Sequence, residues 1–365
     1  MRKSKKSEQG PYEQLAKVLD RIPNGFVAVE DNTHLEVLQW IFKPEEAELA
    51  SKLKLRGETL KRISKRLKIP QKELSRKLET MEKKGQIHVM NSKKGKKYGL
   101  LPFAIGIYEE QLHRMDKEFA QLMEEYMQKT QGEVLFSTPP PIHRVIPVNE
   151  VIKTELEIHP YNKAEEMIRN AKSWGVRECI CRKQQELLGE PCQYPTSVCL
   201  MFSPEKNAYD DSNKTKPISL NKALEILKEA EEAGLVHSSM NIANGQSYLC
   251  NCCTCCCGVL RAFMEFKQPN ALVKADYVLN VDTDLCVGCG KCVDRCQFHA
   301  LVIVDEKCTV NNKCVGCGAC AIVCPTEALS LVPRENSHKN KPPRNIVFWM
   351  IRRAIKRRIN LFKLL

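Results

Sequence analysis

The stretch that decides the fold is CVGCGKCVDRC at residues 286–296, which returns as CVGCGACAIVC at residues 314–324. Each run places four cysteines with two, two and three residues between them, and the second run lies 28 residues after the first. Three closely spaced thiolates on one loop can reach three corners of a metal cluster, and glycines let such a loop fold tightly. The repeat therefore predicts two related metal sites.

This spacing, with Pro325 after the last cysteine, resembles that of bacterial two-cluster ferredoxins. The resemblance implies two 4Fe–4S clusters with crossed ligands, because the fourth cysteine of each run binds the cluster of the other run. By that resemblance, one cluster is held by Cys286, Cys289, Cys292 and Cys324, and the other by Cys314, Cys317, Cys320 and Cys296. Zinc is the alternative, but zinc sites usually use paired C-x2-C sets.

Two features depart from the ferredoxin pattern. Gln297 stands where these ferredoxins usually have proline, which could loosen the turn after Cys296. Cys308 lies outside both runs, and we interpret it as a spare thiol. Short apolar segments at 277–281, 301–304 and 329–332 are expected to form the small strands that cover the clusters.

Ten further cysteines lie between residues 179 and 257. Such a density favours one or two further iron–sulfur clusters, although cysteines also fill cores and adjacent cysteines can form a dithiol redox centre. The sequence therefore predicts two clusters in the cysteine runs, and a total of three or four if this region also binds one or two. The candidate ligands of the middle site are Cys179, Cys181, Cys192, Cys252, Cys253, Cys255 and Cys256.

The 19 cysteines do not fit a secreted disulfide protein. The N-terminal residues are polar and basic and lead into no apolar signal segment, and no run of 18 apolar residues is long enough to span a membrane. We therefore expect a cytoplasmic protein, which can also be peripheral at the membrane. The net charge of +13 is concentrated in residues 52–97 and 334–365, whereas the remainder is acidic.

Residues 34–100 read as helices followed by a hairpin, and the loop before Tyr98 resembles the wing of a winged helix-turn-helix. Residues 58–97 could contact DNA phosphates. The alternative is a docking platform whose lysines form a solvated face. The basic residues concerned are Lys72, Arg76 and Lys77 on the expected recognition helix and Lys93, Lys94, Lys96 and Lys97 on the expected wing.

An amphipathic helix is expected at 111–130, followed by a proline-rich break at 137–141. Helices are also expected at 161–174 and at 220–233, the second with Ser219 as its N-cap and Gly234 just after its end. The tail alternates basic and apolar residues around Trp349. It could lie on an anionic membrane as an interfacial helix, or pack on a partner or on its own chain.

The sequence predicts an α+β chain of several domains. The expected parts are a disordered segment at 1–11, a winged-helix-like domain at 12–100, an amphipathic helix and linker at 101–141, a cysteine-rich domain of mixed helix and strand at 142–275, a two-cluster ferredoxin domain at 276–333 and a basic amphipathic tail at 334–365.

Over residues 12–333 the chain resembles a group of 4Fe–4S binding proteins of anaerobes that join these same parts. The resemblance is carried by residues 42–50, 179–182, 231–237 and 250–261. It implies an electron-transfer protein that relays electrons to or from an oxidoreductase partner, and is more a component of an oxidoreductase than a stand-alone enzyme. The alternative is a redox-sensing winged-helix transcription regulator. No Ser/His/Asp set, phosphate loop or nucleotide fingerprint supports a separate catalytic site.

Overall fold

The computed structural model describes residues 10–90, 95–155, 157–335 and 341–360. The chain divides into two compact units. One consists of Met1–Leu135 with Ile351–Leu365, and the other of Phe136–Met350. Helices and strands are mixed along the chain, which is consistent with the predicted α+β class.

The first unit begins with three helices and continues with two helices and a small sheet. The elements are α1 (Pro11–Asp20), α2 (Thr33–Ile41), α3 (Pro44–Ser51), β1 (Glu58–Thr59), α4 (Leu60–Leu67), α5 (Gln71–Lys83), β2 (Ile87–Met90) and β3 (Lys97–Leu100). The strands form an antiparallel sheet in the order β1-β3-β2. Leu74, Leu78 and Met81 recur at helical spacing on α5 and are buried, so the opposite face of that helix is exposed.

The amphipathic helix of the first unit starts later than the sequence predicts. It is α6 (Lys117–Thr130), followed by the short α7 (Glu133–Ser137). The Asp116 carboxylate accepts a hydrogen bond from the Phe119 backbone N–H and so caps the helix. The prediction of a helix from residue 111 was therefore wrong at its start, because Glu109–Gln111 forms a separate 3-10 turn.

A seven-stranded sheet organises the second unit, and the sequence did not predict it. Its strands are β4 (His143–Val145), β5 (Ser173–Arg177), β6 (Cys199–Ser203), β7 (Lys216–Ile218), β8 (Val236–Met240), β9 (Tyr248–Cys252) and β10 (Leu272–Val273). The order is β10-β4-β8-β9-β6-β5-β7, with only the β10–β4 pair parallel. Leu200 of β6 lies opposite Leu249 of β9, and this register places cysteine-bearing strands side by side.

Four helices accompany this sheet: α8 (Ala164–Arg169), α9 (Ile180–Leu187), α10 (Leu220–Ala233) and α11 (Gly258–Met264). The helix at 220–233 is confirmed, with the Ser219 hydroxyl accepting from Lys222 N–H and Gly234 ending it in the left-handed region. The helix at 161–174 is corrected to α8, because Trp174 belongs to β5, where it pairs with Phe202 and Ile218.

The segment with the two cysteine runs forms two small antiparallel sheets. The elements are β11 (Tyr277–Val281), α12 (Lys291–Arg295), β12 (Leu301–Val304), β13 (Lys307–Val310) and β14 (Leu329–Pro333). β11 pairs with β14, and β12 pairs with β13. The three strands predicted here are present, and β13 is additional.

The last described helix is α13 (Ile346–Lys356). Among the described residues, no helix combines the length and the apolar character needed to cross a membrane.

Candidate metal centres

The first cavity is lined by the three leading cysteines of the first run and by the last cysteine of the second run. These are Cys286, Cys289, Cys292 and Cys324. Gly288 has φ of +65°, and a Cβ there would collide with the carbonyl of Glu306. The loop can therefore approach the turn between β12 and β13 only with glycine at this position.

The second cavity has the complementary composition. It is lined by Cys314, Cys317 and Cys320 of the second run and by Cys296 of the first. Gly316 has φ of +75°, and a Cβ there would collide with the Tyr277 carbonyl. The structure thus brings Cys324 to the first set and Cys296 to the second.

Cys308, interpreted from the sequence as a spare thiol, also lines the first cavity. It is buried on β13, and its sulfur lies 3.6 Å from the sulfur of Cys292. Burial raises the pKa of Cys308 to about 12. Sequence spacing missed this neighbour, because only the hairpin of β12 and β13 folds residue 308 back over the first run.

Backbone N–H groups point at sulfurs in both cavities. The Cys308 N–H donates to Cys286 Sγ at 3.4 Å, and the Ala300 N–H donates to Cys296 Sγ at 3.4 Å. Such bonds favour the thiolate form and tune the potential of a bound cluster. Burial opposes ionisation elsewhere, since it raises the pKa of Cys317 to about 12. At Cys324 burial also raises the pKa, but hydrogen bonds, first from the Thr326 backbone, lower it overall.

The middle cysteines do not gather into one set. Four of them form what we call the middle thiol quartet, in which all four sulfurs lie within 4.8 Å of one another. The quartet consists of Cys192, Cys253, Cys255 and Cys256. Cys192 lies on the loop after α9, and the other three lie on the turn between β9 and α11.

Cys179 and Cys181, predicted for the same site, lie in a second cluster that we call the inner thiol group. Its members touch in a chain that runs from Cys199 through Cys250, Cys252, Cys257 and Cys181 to Cys179. The candidate ligands of the middle region therefore divide between two groups, and Cys252 and Cys253 enter different ones because side chains alternate across β9 and diverge on the following turn. Cys199, Cys250 and Cys257 were not predicted as members.

Charge and hydrogen bonds act on sulfurs of both groups. A hydrogen bond from Cys256 and the charge of Arg182 lower the pKa of Cys253 to about 5, against the effect of burial. Hydrogen bonds from Cys250, Cys257 and Ser238 lower the pKa of Cys252 to about 6. In each group, therefore, the surroundings favour ionisation of one sulfur over that of its neighbours.

Gln297, the residue in place of the usual proline, joins the two cysteine-rich parts. Its side-chain oxygen accepts from the Thr254 N–H at 2.9 Å, and its side-chain nitrogen donates to the Gly234 carbonyl at 2.5 Å. Thr254 lies inside the quartet turn, and Gln297 follows Cys296 of the second cavity. The turn that was expected to be loosened by this glutamine is instead cross-linked by it.

On the first unit, Lys72, Arg76 and Lys77 lie exposed on α5. Lys77 pairs with Glu73 at 2.6 Å, and Lys96 lies 3.8 Å from Glu82. Of the other expected wing residues, Lys97 is half-buried on β3, and Lys93 and Lys94 lie outside the described residues.

The tail helix α13 has a buried and an exposed face. Trp349 is buried and donates through its indole N–H to the Pro141 carbonyl at 2.9 Å. Arg353 is buried and donates to the carbonyls of Pro23 and Leu135. Apolar side chains remain exposed on the other face, at Ile346, Val347, Phe348, Ile351 and Ile355.

Two segments of the chain, residues 279–302 and 308–330, match the 4Fe-4S binding domain family Fer4. Each segment contains one cysteine run, and the two matches indicate two 4Fe–4S clusters. No curated protein and no solved structure matches the chain. This part of the chain therefore binds iron–sulfur clusters, and electron transfer is the role that the domain indicates.

Proposed function

We propose that the protein is an electron carrier that holds two 4Fe–4S clusters in crossed cysteine sets and serves an oxidoreductase partner. The observation that carries this proposal is the grouping of sulfurs, since each cavity gathers three cysteines of one run and the fourth of the other. A bound 4Fe–4S cluster accepts or releases a single electron. The chain is then a component of an oxidoreductase rather than a stand-alone enzyme.

The protein's own residues fit this group. The four sulfurs of each set line one cavity, backbone N–H groups donate to two of those sulfurs, and buried apolar side chains such as Leu279 and Leu331 line the second cavity. Exclusion of water and N–H···S bonds are the means by which a protein sets a cluster's potential.

One short helix connects the two sites. Cys292 lies within α12 and lines the first cavity, while Cys296 caps the same helix and lines the second. Because the two cysteines are one helical turn apart, the sites that they serve are neighbours. This arrangement supports exchange of electrons between the sites.

The first site is the better point of contact for a partner. Val287 and Ile303 line the first cavity and are 62% and 38% exposed, and Cys289 is exposed beside them. Phe298 and Leu331 of the second cavity are buried. An exposed apolar surface next to a redox group suits a transient docking contact with a redox protein.

Anaerobic purification with iron and sulfide counting and EPR spectroscopy tests the proposal. We expect about eight irons and about eight sulfides per chain, and two interacting clusters on reduction. Fewer than about six irons would contradict the two-cluster assignment. The further cluster predicted among the middle cysteines would raise the count to about twelve. None of the 19 cysteines forms a disulfide, and cysteines stay reduced in the cytoplasm, which is the compartment that we propose.

A second function, redox-sensing transcription regulation, is favoured by one observation. Two consecutive helices, α4 and α5, lie between the first strand of a three-stranded sheet and its other two strands, and the exposed face of α5 carries Lys72, Arg76 and Lys77. Winged helix-turn-helix proteins place such a helix in the major groove. Sequence-specific duplex binding at moderate salt that changes with cluster oxidation supports this role, whereas purely non-specific affinity contradicts it.

A further inference from the structure

The middle thiol quartet is spaced for a single metal ion. The sulfur of Cys192 lies 3.7 Å from those of Cys253 and Cys255, and Cys255 Sγ lies 3.6 Å from Cys256 Sγ. Four thiolates bound tetrahedrally to one zinc ion at about 2.3 Å stand about 3.8 Å apart. These three separations match edges of such a tetrahedron, and all six sulfur–sulfur separations lie within 4.8 Å.

A 4Fe–4S cube needs a wider set of ligands, because each thiolate binds a different iron at a different corner. The two cysteine runs provide an internal comparison. Their eight cysteines are all described by the structure, yet no three of their sulfurs form a group as tight as the quartet. Within one compact unit, the sulfurs of the segments that match the iron–sulfur family are thus widely spaced, whereas the sulfurs of the quartet lie close together.

Charge around the quartet also fits a bound ion. Four thiolates and one divalent ion carry a net charge of −2, and a partly buried anion needs a nearby cation. Arg182 is 1% exposed and interacts electrostatically with Cys253 of the quartet, as it does with Cys179 and Cys252 of the inner thiol group. Its Nη atoms donate to the carbonyls of Pro195 and Asn251, which fixes the guanidinium in place. An arginine at this position offsets the charge and orients a ligand from outside the coordination sphere.

Two hydrogen bonds hold the turn that supplies three of the four quartet cysteines. The Thr254 N–H, between two of the ligands, is bonded to Gln297, and the Cys257 N–H donates to the Cys253 carbonyl at 3.1 Å. Structural zinc sites join distant segments in this way, here the loop after α9 and the turn before α11.

We propose that Cys192, Cys253, Cys255 and Cys256 bind one thiophilic divalent ion of the zinc class in a closed tetrahedral site, in place of a further iron–sulfur cluster. Four protonated thiols and Zn²⁺ give a Zn(Cys)₄ centre of charge −2 and four released protons, and one proton fewer is released for each sulfur that is already ionised. The site cross-links the middle region and takes no part in electron transfer, because Zn²⁺ has no redox chemistry.

Metal analysis of the anaerobically purified full chain tests this site. We expect about one zinc beside about eight irons per chain. A ninth iron with the spectrum of a single tetrathiolate iron, in place of zinc, would still support a one-ion site and would identify the ion. About twelve irons without zinc would overturn the proposal, as would about eight irons with neither zinc nor uptake of Co²⁺ in a tetrahedral thiolate spectrum.

Two exposed cysteines give a matched pair of variants. Cys255→Ser should lower zinc at least tenfold and leave the eight irons in place, whereas Cys289→Ser should lower iron by about half and leave zinc in place. Cys199→Ser, outside both sets, should change neither metal. The iron content of Cys255→Ser reports whether that variant is folded, and the zinc content of Cys289→Ser does the same for the other variant. Failure of this proposal is therefore distinguishable from failure of the two-cluster proposal.

If Cys255→Ser retains its zinc, the quartet assignment is wrong. If it loses zinc and iron together, the readout is uptake of Co²⁺ by wild type and by Cys255→Ser under the same conditions. A tetrahedral thiolate spectrum in the wild type alone supports the site, and identical spectra overturn it.

Discussion

In the proposed assignment, each cluster site takes cysteines from both runs, and this is testable residue by residue. Cys324→Ser should cost one cluster, about four irons, because it removes one of four ligands from the first cavity. Cys289→Ser should cost the same cluster. The double variant should therefore contain no less iron than either single variant.

The contrasting double variant combines Cys324→Ser with Cys317→Ser, which lines the other cavity. It should lose nearly all iron. If instead Cys324→Ser with Cys289→Ser loses all iron, each run binds its own cluster and the crossed assignment is wrong.

Two glycines with similar φ angles allow the cost of a left-handed backbone to be measured apart from the cost of a Cβ clash. Gly316 and Gly290 have φ of +75° and +79°, but a Cβ on Gly316 would meet the Tyr277 carbonyl, whereas a Cβ on Gly290 would meet nothing within 4 Å. Gly290→Ala should cost about 1–2 kcal/mol of unfolding free energy from the left-handed angle alone.

Gly316→Ala should cost roughly 1–3 kcal/mol more and reduce loading of the second cluster. Chemical unfolding and iron analysis of both variants measure this difference. Equal losses of unfolding free energy and of iron in the two variants would show that the close approach of the second run to β11 contributes neither to stability nor to cluster loading.

At the scale of elements, Gln297 ties the end of α12 to the C-terminus of α10 and to the quartet turn. Gln297→Ala should lower the unfolding free energy by roughly 1–3 kcal/mol, because two hydrogen bonds are lost. Hydrogen exchange of the Thr254 amide should rise more than that of amides on β6. Unchanged exchange at Thr254 would mean that the glutamine does not hold the turn.

The exposed face of α5 is the element on which the DNA-binding alternative depends. Arg76→Glu should weaken duplex binding by tenfold or more at moderate salt if the helix contacts phosphates. Lys228→Glu on the exposed face of α10 is the matched charge reversal and should have little effect. Equal loss in both variants would indicate only non-specific attraction of a basic protein.

At the scale of the whole molecule, stability should fall in mild acid because of a buried histidine. His143 on β4 contacts the Tyr248 hydroxyl at 2.9 Å and the Ser238 hydroxyl at 3.2 Å, and burial lowers its pKa from 6.5 to about 4. Between these values the unfolded chain binds the proton and the folded chain does not, so stability decreases as pH falls from 6.5 toward 4.

The histidine's share of this loss is at most roughly 3 kcal/mol. Urea unfolding of the wild type and of His143→Gln at pH 7 and pH 5 measures it. The variant should lose less stability between the two pH values than the wild type. An identical loss would assign the acid sensitivity to other groups, such as the cluster ligands.

The cysteine spacing alone determined that two 4Fe–4S sites are present, because loop ligation is a local property in which three ligands lie within seven residues. Local capping likewise allowed α10 to be predicted to the residue, since Ser219 and Gly234 act within one turn. Helix starts such as that of α6 were misjudged where apolar spacing continued past a capping aspartate.

Tertiary structure decided which middle cysteines meet. Nothing in the spacing of Cys192 and Cys253, 61 residues apart, indicates that their sulfurs lie 3.7 Å from each other. That contact depends on the pairing of strands remote in sequence and on the turn after β9, which are set by burial and register rather than by local pattern. The same holds for Cys308, which reaches the first cavity only through the β12–β13 hairpin.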